Sequence, residues 1–544
     1  MKVVGEVSPL AGEEQRLLAT GELREGYRLA CYCRVFGETE VHCEETISKQ
    51  ASFPVPVGLP PDEIRPEVRA VAVTVPGPGQ ECSEALPERL ERAVPAYSLD
   101  LAAQDWDRIA KLDSGQELVL TGVAVGSRLI ALREVCPPVL GVALDIGTTS
   151  LFAVLVDLDS GEERAVVSRA NLQRVYGADV ISRISYALQH PGGLRHLQMI
   201  LINTLNSMLD EMVREARVAR EDIFQVMAVG NPVMLHFLLG EEVDGFARAP
   251  FTGVFREGRV VEAGRLSLEI HPRGLLRLLP QVRAFVGADV VAGLLAIGPG
   301  YPDTFLFIDI GTNGEMVLHH RGQWWACSTA AGPAFEGGNI TRGMRAEPGA
   351  IDRVWVQDGE IRFNVLGGGL PRGICGSGLV DMVAVLRDQG RVDATGCLQV
   401  TATGQGSELT IVEGSGTATG RPLVLTQDDL RQLQLAKGAI RAGVDIMLER
   451  AGVTPRELER VFLAGAFGNC LHPESLLRIG LLPPLEAGRI VRVGNTAARG
   501  AVRALLSETK REEAESLACR ITYLELASQP DFQEVFLRNL NFGE

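Results

Sequence analysis

Two short segments of this 544-residue chain place a carboxylate beside glycine and hydroxyl residues at the end of an apolar run. They are Asp145-Ile146-Gly147-Thr148-Thr149 and Asp309-Ile310-Gly311-Thr312-Asn313-Gly314. A buried strand that ends in Asp and turns through Gly-Thr leaves backbone N–H groups and hydroxyls uncrowded, so the turn can accept phosphate oxygens. The carboxylate adds a hard oxygen for a magnesium ion or its water shell. One such turn is an ordinary hairpin connection. Two, each bounded by apolar runs, point to phosphate binding, with Asp145, Asp309, Thr148 and Thr312 as the reacting groups and Asp145 and Asp309 as magnesium ligands. Gly147, Thr149, Gly311, Asn313 and Gly314 complete the two turns. Thr148, Thr312 and Glu315 are the candidates by position for orienting an attacking water.

A third segment, residues 460–469, carries an apolar strand into Gly465-Ala466-Phe467-Gly468. Small residues there let the backbone lie against a flat ring such as adenine. Gly376 and Ser377 open a predicted helix whose N-terminus could hold an anion. Residues 494–501 open another, where close helix packing is the reading.

These residues need strands to hold them. Residues 140–145 read as a buried strand, 151–156 as its hairpin partner, and 164–168 as a third strand after Asp159-Ser160-Gly161. The same order returns at 305–309 and 315–318, an internal duplication carried by the two hairpins. Two similar α/β lobes, each opening with such a hairpin, would face one another across a cleft of the kind small ligands occupy. Leu194, Leu197, Leu201, Leu205, Met208 and Met212 recur at three- and four-residue spacing, which predicts an amphipathic helix against a core. Ahead of Val139, residues 1–45 form a short unit rich in strand formers, including 27–35. An extended linker over 46–61 holds four prolines. Residues 62–138 read as a small middle α+β domain, with a strand over 68–75, a helix over 99–111 and a strand pair over 117–134. The nucleotide-binding part is then 139–544.

Composition narrows the function classes. A formal net charge of −16 argues against a general nucleic-acid binder and against an anionic-membrane binder, both of which need excess Lys and Arg. No basic stretch with an apolar core opens the chain and no uninterrupted apolar run of about 18 residues occurs, which predicts a soluble, cytoplasmic protein. The 60 glycines exceed the roughly 7% of average usage and predict many tight turns or close backbone approaches. Ten scattered cysteines do not make a disulfide scaffold, and most are expected as free, buried thiols.

The order phosphate loop, helical crossing, phosphate loop, helical crossing, adenosine loop, helical crossing resembles the actin, sugar-kinase and Hsp70 (ASKHA) superfamily over about residues 140–510. That resemblance implies a two-lobed α/β ATPase in which the two Asp-Gly-Thr hairpins clamp the phosphates of ATP with Mg2+. The runs 171–184 (Asn-Leu-Gln-Arg-Val-Tyr-Gly-Ala-Asp-Val-Ile-Ser-Arg-Ile), 229–236 (Val-Gly-Asn-Pro-Val-Met-Leu-His), 332–338 (Gly-Pro-Ala-Phe-Glu-Gly-Gly) and 26–31 (Gly-Tyr-Arg-Leu-Ala-Cys) look more closely like the reductive activators of corrinoid proteins. Gly332 joins the nucleotide-binding set on that likeness. The family resemblance implies an ATPase that helps move one electron to the cobalt(II) of a corrinoid protein in methyl-transfer metabolism. It further implies a plant-type ferredoxin domain with a 2Fe–2S cluster, an ATP-binding domain, and a homodimer. Cys31 falls where the family's fourth cluster ligand would lie, but the C-x4-C-x2-C pattern has no counterpart upstream of it. Either the chain starts late or this member takes its electron elsewhere; the donor is not specified.

Two readings from other classes stand beside this one. A small-molecule kinase would use the same ATP cleft and need a carboxylate base, for which Asp289 and Glu336 are available. A nucleotide-gated interaction module would bind a partner without redox work.

Overall fold

The computed structural model describes residues 2–10, 14, 23–28, 33–42, 59–77, 84–114, 116–134, 138–283, 285–298, 300–399 and 408–542. The chain divides into two compact units, one of Met1–Ser52, Pro302–Gly494 and Leu524–Glu544, the other of Phe53–Tyr301 and Asn495–Tyr523. In the former, β1 (Lys2–Val7) pairs antiparallel with β2 (Val35–His42). Of the strand formers expected over 27–35, Tyr27 makes a single bridge to Lys2, and residues 33 and 34 are irregular. Residues 29–32, with Cys31, lie outside the described residues, as do Cys43, Cys82, Cys136 and most of the expected linker.

The second unit begins with β3 (Val68–Val75), β4 (Ser98–Leu99), β5 (Leu118–Val125) and β6 (Arg128–Arg133), in the order β3-β5-β6-β4. Leu90 and Ile109, from the helices Leu86–Ala93 and Ala103–Leu112, bury themselves against this sheet in one apolar cluster. The helix expected from residue 99 starts four residues later. Leu99 pairs with Leu129 of β6 and the Asp100 N–H donates to the Leu129 carbonyl, so the ladder holds the chain extended first.

The sheet that follows holds β7 (Leu140–Ile146), β8 (Ser150–Asp157), β9 (Glu163–Ala170), β10 (Ile223–Gly230), β11 (Arg259–Glu262) and β12 (Leu275–Leu278), in the order β11-β12-β10-β7-β8-β9. β10 is buried along its whole length, as a central parallel strand covered on both faces should be. The helix Gly193–Ala216 buries Leu197, Leu201, Leu205, Met208 and Met212, the spacing that predicted it. Each such fully buried side chain contributes roughly 1.5–3 kcal/mol.

The other unit builds its main sheet from β13 (Thr304–Ile310), β14 (Gly314–His320) and β15 (Gln323–Thr329). Two small sheets intervene in the chain: β16 (Ala350–Gln357), β17 (Glu360–Val365) and β18 (Gly373–Ile374), then β19 (Glu408–Val412) with β20 (Leu423–Thr426). The main sheet is completed by β21 (Arg460–Ala464) and β22 (Ile490–Gly494), giving β22-β21-β13-β14-β15 within this unit.

The two main sheets repeat one plan. β12 and β10 run parallel to β7, while β8 and β9 follow it as antiparallel hairpins. β22 and β21 run parallel to β13, while β14 and β15 do the same. The duplication therefore extends from the hairpins to five strands each.

Glycine closes two helical crossings. A Cβ on Gly500, in the helix Thr496–Leu506, would lie 1.8 Å from the carbonyl oxygen of Ala292 in the helix Ala288–Ile297. A Cβ on Gly376, first residue of the helix Gly376–Asp388, would lie 1.7 Å from the carbonyl oxygen of Phe335. At both places backbone meets backbone. Among the described residues no helix is long and apolar enough to cross a membrane. The six described cysteines are free thiols, but only Cys327 and Cys375 are buried; Cys397 and Cys519 are exposed, against the expectation of burial, because they sit on a surface turn and a helix end.

Candidate phosphate-binding site

The first Asp-Ile-Gly-Thr turn is held from behind by side-chain donors. Asn171 Nδ2 donates to the Gly147 carbonyl at 2.9 Å, Arg183 Nη2 donates to the Thr148 carbonyl, and the Asn171 N–H donates to the Thr149 carbonyl at 2.9 Å. With its carbonyls tied back, the turn is left to use its N–H groups and hydroxyls on other partners. Gly147 is required by space: a Cβ there would lie 2.6 Å from the Ser150 carbonyl oxygen. Asn231 caps the helix Pro232–Leu239 by accepting from the Met234 N–H, and its Nδ2 donates to Thr148 Oγ1 at 3.1 Å. The Thr148 hydroxyl accepts from that amide, so its own proton is available for a phosphate oxygen.

Two further groups set the electrostatics of this turn. Burial pushes the Asp145 carboxyl up to about 6, against the lowering effect of the Asn495 amide, whose Nδ2 donates to Asp145 Oδ2 at 3.0 Å. Arg183 is fully buried and pairs with no carboxylate among the described residues; its other donors reach the Gly177 carbonyl and Gln173 Oε1. Burial brings its guanidinium down to about 10, partly opposed by Asp179, so it stays charged at neutral pH. A buried cation directed at the carbonyl of a phosphate-loop residue favours an anion on the loop's far side.

The second turn is built on acids. Asp309 and Glu315 are cross-strand partners on β13 and β14, and the Thr312 hydroxyl donates to Glu336 Oε1. Any further hydrogen bond made by that hydroxyl is one it accepts. The Gly311 N–H donates to the Asn313 carbonyl at 2.9 Å, and the Gly332 N–H donates to the Thr312 carbonyl at 3.0 Å. A Cβ on Gly311 would come no closer than 3.6 Å to that Asn313 oxygen, whereas one on Gly314 would press to 2.9 Å from Ile440. Gly332 has φ +77°, in the left-handed region, with open space around it.

The third segment lies beside the second turn. β21 runs parallel to β13 with Ala464 opposite Asp309, and the short helix Gly465–Gly468 follows. Gly465 has φ +85°, and a Cβ there would lie 2.4 Å from Asp309 Oδ1. Gly230, at the equivalent end of β10, approaches the Ile146 carbonyl oxygen the same way, at 2.7 Å. Phe467 turns toward the core, and Gly468 lies against Leu463. Nothing is described for the Ala466 side chain. The Ser377 hydroxyl donates to the Asp352 carbonyl at 2.8 Å, so it serves the backbone, and Gly376 serves the helical crossing.

The residues present fit the magnesium nucleotide that this loop chemistry implies. A partly desolvated Asp, donor-rich backbone and a buried cation suit phosphate and its metal; an acid cluster suits water or a hydrated cation. Sequence reasoning did not single out Asn171, Arg183, Asn231 or Asn495 as site residues. The readable signal was an Asn directly before a helix, at Asn231-Pro232 and at Asn495-Thr496. Cys31 lies outside the described residues, and among those described no group of three or more His, Cys, Asp or Glu is arranged to hold a metal ion.

Comparison with known proteins places these loops in a family context. Residues 140–299 match the family described as RACo middle region, and residues 303–544 match the family described as C-terminal domain of RACo, the ASKHA domain. The corrinoid activation enzyme RamQ of Eubacterium limosum is 34% identical over 439 residues, covering 78% of this chain and 74% of that protein. The Co(II) methylated amine-specific corrinoid protein reductase of Methanosarcina barkeri is 27% identical over 429 residues, covering 74% of this chain and 77% of that protein. The solved structure of a reductive activator for corrinoid, iron-sulfur protein superposes with a TM-score of 0.78 at 29% identity, covering 99% of this chain and 91% of that one.

Proposed function

This chain belongs to the family of reductive activators of corrinoid proteins, and we propose that it couples ATP binding and hydrolysis to the one-electron reduction of cobalt(II) to cobalt(I) in a corrinoid partner of a methyl-transfer system. The observation that carries the reading is the repeated five-strand plan, each copy ending its central strand in Asp-Ile-Gly-Thr. It supports treating residues 139–544 as one ATP-binding part, preceded by the α+β region of 62–138 with its own four-stranded sheet. A kinase or a redox-free interaction module accounts less well for relatives named as activator and reductase.

Magnesium, when bound, would supply positive charge against phosphate oxygens. In its own unit, each of Asp145 and Asp309 is the turn's carboxylate that would hold it or its waters. Gly147, Thr148 and Thr149 receive phosphate oxygens on N–H and hydroxyl donors, with Arg183 behind them. The Thr312–Glu336 pair offers acceptors to a water and so orients it for attack. The closeness of Gly465 to Asp309 ties the adenosine loop to the metal ligand. Electron transfer is driven when one nucleotide state binds the partner better than the other, by the difference in affinity. The family resemblance extends the reading to a 2Fe–2S cluster that receives the electron and to a homodimer.

The test is spectroscopic. The full chain is mixed anaerobically with the corrinoid partner, a low-potential donor and Mg-ATP, and the cobalt(II) absorption is followed. It should be lost only when ATP is present. An unchanged spectrum with active ATPase would refute the reading.

A further inference from the structure

A hollow of about 200 Å³ opens beside the helix Pro232–Leu239, in the unit that carries the first phosphate loop. Its apolar wall is made by Pro232, Phe246 and Phe255. His236 shapes it from below: Nε2 accepts from the Val254 N–H at 2.9 Å, so Nδ1 carries the proton and donates to the Pro232 carbonyl. The ring stacks on Phe255 at 4.3 Å and meets Phe246 edge-on. A Cβ on Gly253 would fall 2.6 Å from Phe246 Cζ and 2.7 Å from His236 Cε1, so this stretch of chain lies directly on the rings. Phe251, two residues earlier, is held at φ +54°, a conformation costly for an L-residue and retained where the surroundings dictate it.

The polar rim is made of Thr252, Arg256, Gln281 and Arg283, with no carboxylate among the lining residues. Neither arginine side chain makes a hydrogen bond or ion pair among the described residues. Gln281 is 2% exposed, and its Nε2 finds no acceptor. A buried amide donor without an acceptor is costly unless a ligand or water supplies one. A smaller adjoining hollow shares Arg256 and Gln281 but also contains Glu257 and Glu515, which disfavours an anion there.

We infer that the larger hollow binds a small organic anion, a carboxylate or phosphate received by Arg256, Arg283 and the Gln281 amide and carried on a planar or apolar body resting on Phe246 and Pro232. Guanidinium forks match both anions. The site is linked to the nucleotide chemistry by one residue: Pro232 lines the hollow, and Asn231 before it donates to Thr148. An occupant that shifts Pro232 therefore acts on the first phosphate loop.

The test uses calorimetric titration of the full chain, saturated with Mg-ADP to occupy the nucleotide loops. Phenyl phosphate and benzoate are the probes, and benzyl alcohol is their neutral counterpart. One anion should bind at a single site, with benzyl alcohol weaker by about tenfold or more; Arg256→Ala and Arg283→Ala should each weaken the anion by about tenfold. Both variants should keep ATP turnover without anion, which verifies that they fold. No binding of either anion, or affinity unchanged in both arginine variants, overturns the proposal. Neither result bears on cobalt reduction, which is read separately.

Discussion

The two Asp-Ile-Gly-Thr turns share a strand plan and a glycine brought against the central strand, and differ in the side chains that support them. The first is backed by amides and a buried guanidinium, from Asn171, Arg183, Asn231 and Asn495. The second is backed by acids, with Glu315 across the ladder from Asp309 and Glu336 taking the Thr312 hydroxyl. Donors behind one loop dispose it to anions, and acceptors behind the other dispose it to water and cations. The same hairpin thus carries donors behind one turn and acids behind the other, and only Glu315 among these supports lies within the repeated strands.

The largest expected effects test what the turns have in common. Asp145→Ala and Asp309→Ala should each lower ATP turnover by about 100-fold or more in a phosphate-release assay. Normal turnover in both would remove the metal-ligand assignment. The next variants separate the halves. Glu336→Gln should lower kcat by about 100-fold while leaving ATP affinity near wild type, because it removes an acceptor for water. Arg183→Met should do the converse, weakening Mg-ATP binding by about tenfold with a smaller loss in kcat. If Glu336→Gln acted on affinity and Arg183→Met on kcat, the division of labour would be reversed.

Acid should also act on the first loop. With the folded-state value for Asp145 raised from 3.8 to about 6, the folded chain binds the proton more tightly than the unfolded chain does. Metal-free stability from this group is therefore greatest below about pH 4 and falls as pH rises to about 6, by about 3 kcal/mol, in calorimetric melts. Magnesium-dependent kcat/KM should run the other way, falling as pH drops below about 6 because metal needs the carboxylate. Asn495→Ala, by removing a donor to the ionised form, should move that acid limb upward by about one pH unit. The smallest contrast is steric. Gly147→Ala should cost about 1–3 kcal/mol of stability against the Ser150 carbonyl, and Gly311→Ala less than about 1 kcal/mol, since its Cβ meets only an ordinary contact.

The hairpins were legible because strand, Asp, Gly and hydroxyl are contiguous. β7 and β13 fall where the apolar runs over 140–145 and 305–309 put them. The full repeat was not, because β10 and β21 are apolar runs that periodicity alone cannot assign to a parallel neighbour. Their sequences at the strand end differ, Gly230-Asn231 against Gly465-Ala466, although both bring a glycine against the central strand. The supports of the first loop were least legible: Asn495 lies 350 residues from Asp145, and Arg183 is 35 from Thr148, separations that only the folded sheet closes. Gly376-Ser377 could be read as an anion site from sequence, yet its hydroxyl is turned to the Asp352 carbonyl.

The glycines at the helical crossings carry a consequence for anyone who screens variants of this chain by growth or colour. Gly376 and Gly500 are packed against other backbone, and any side chain there would drive one backbone out of another. A library scored on activity alone would rank them beside Asp145 and Asp309 as intolerant positions, and a map drawn from such scores would paint an active centre far wider than the chemistry occupies. Purified protein and a melting curve would sort the two kinds apart: substitutions at the carboxylates should leave a folded, inert chain, and substitutions at the crossings should leave little folded chain to assay.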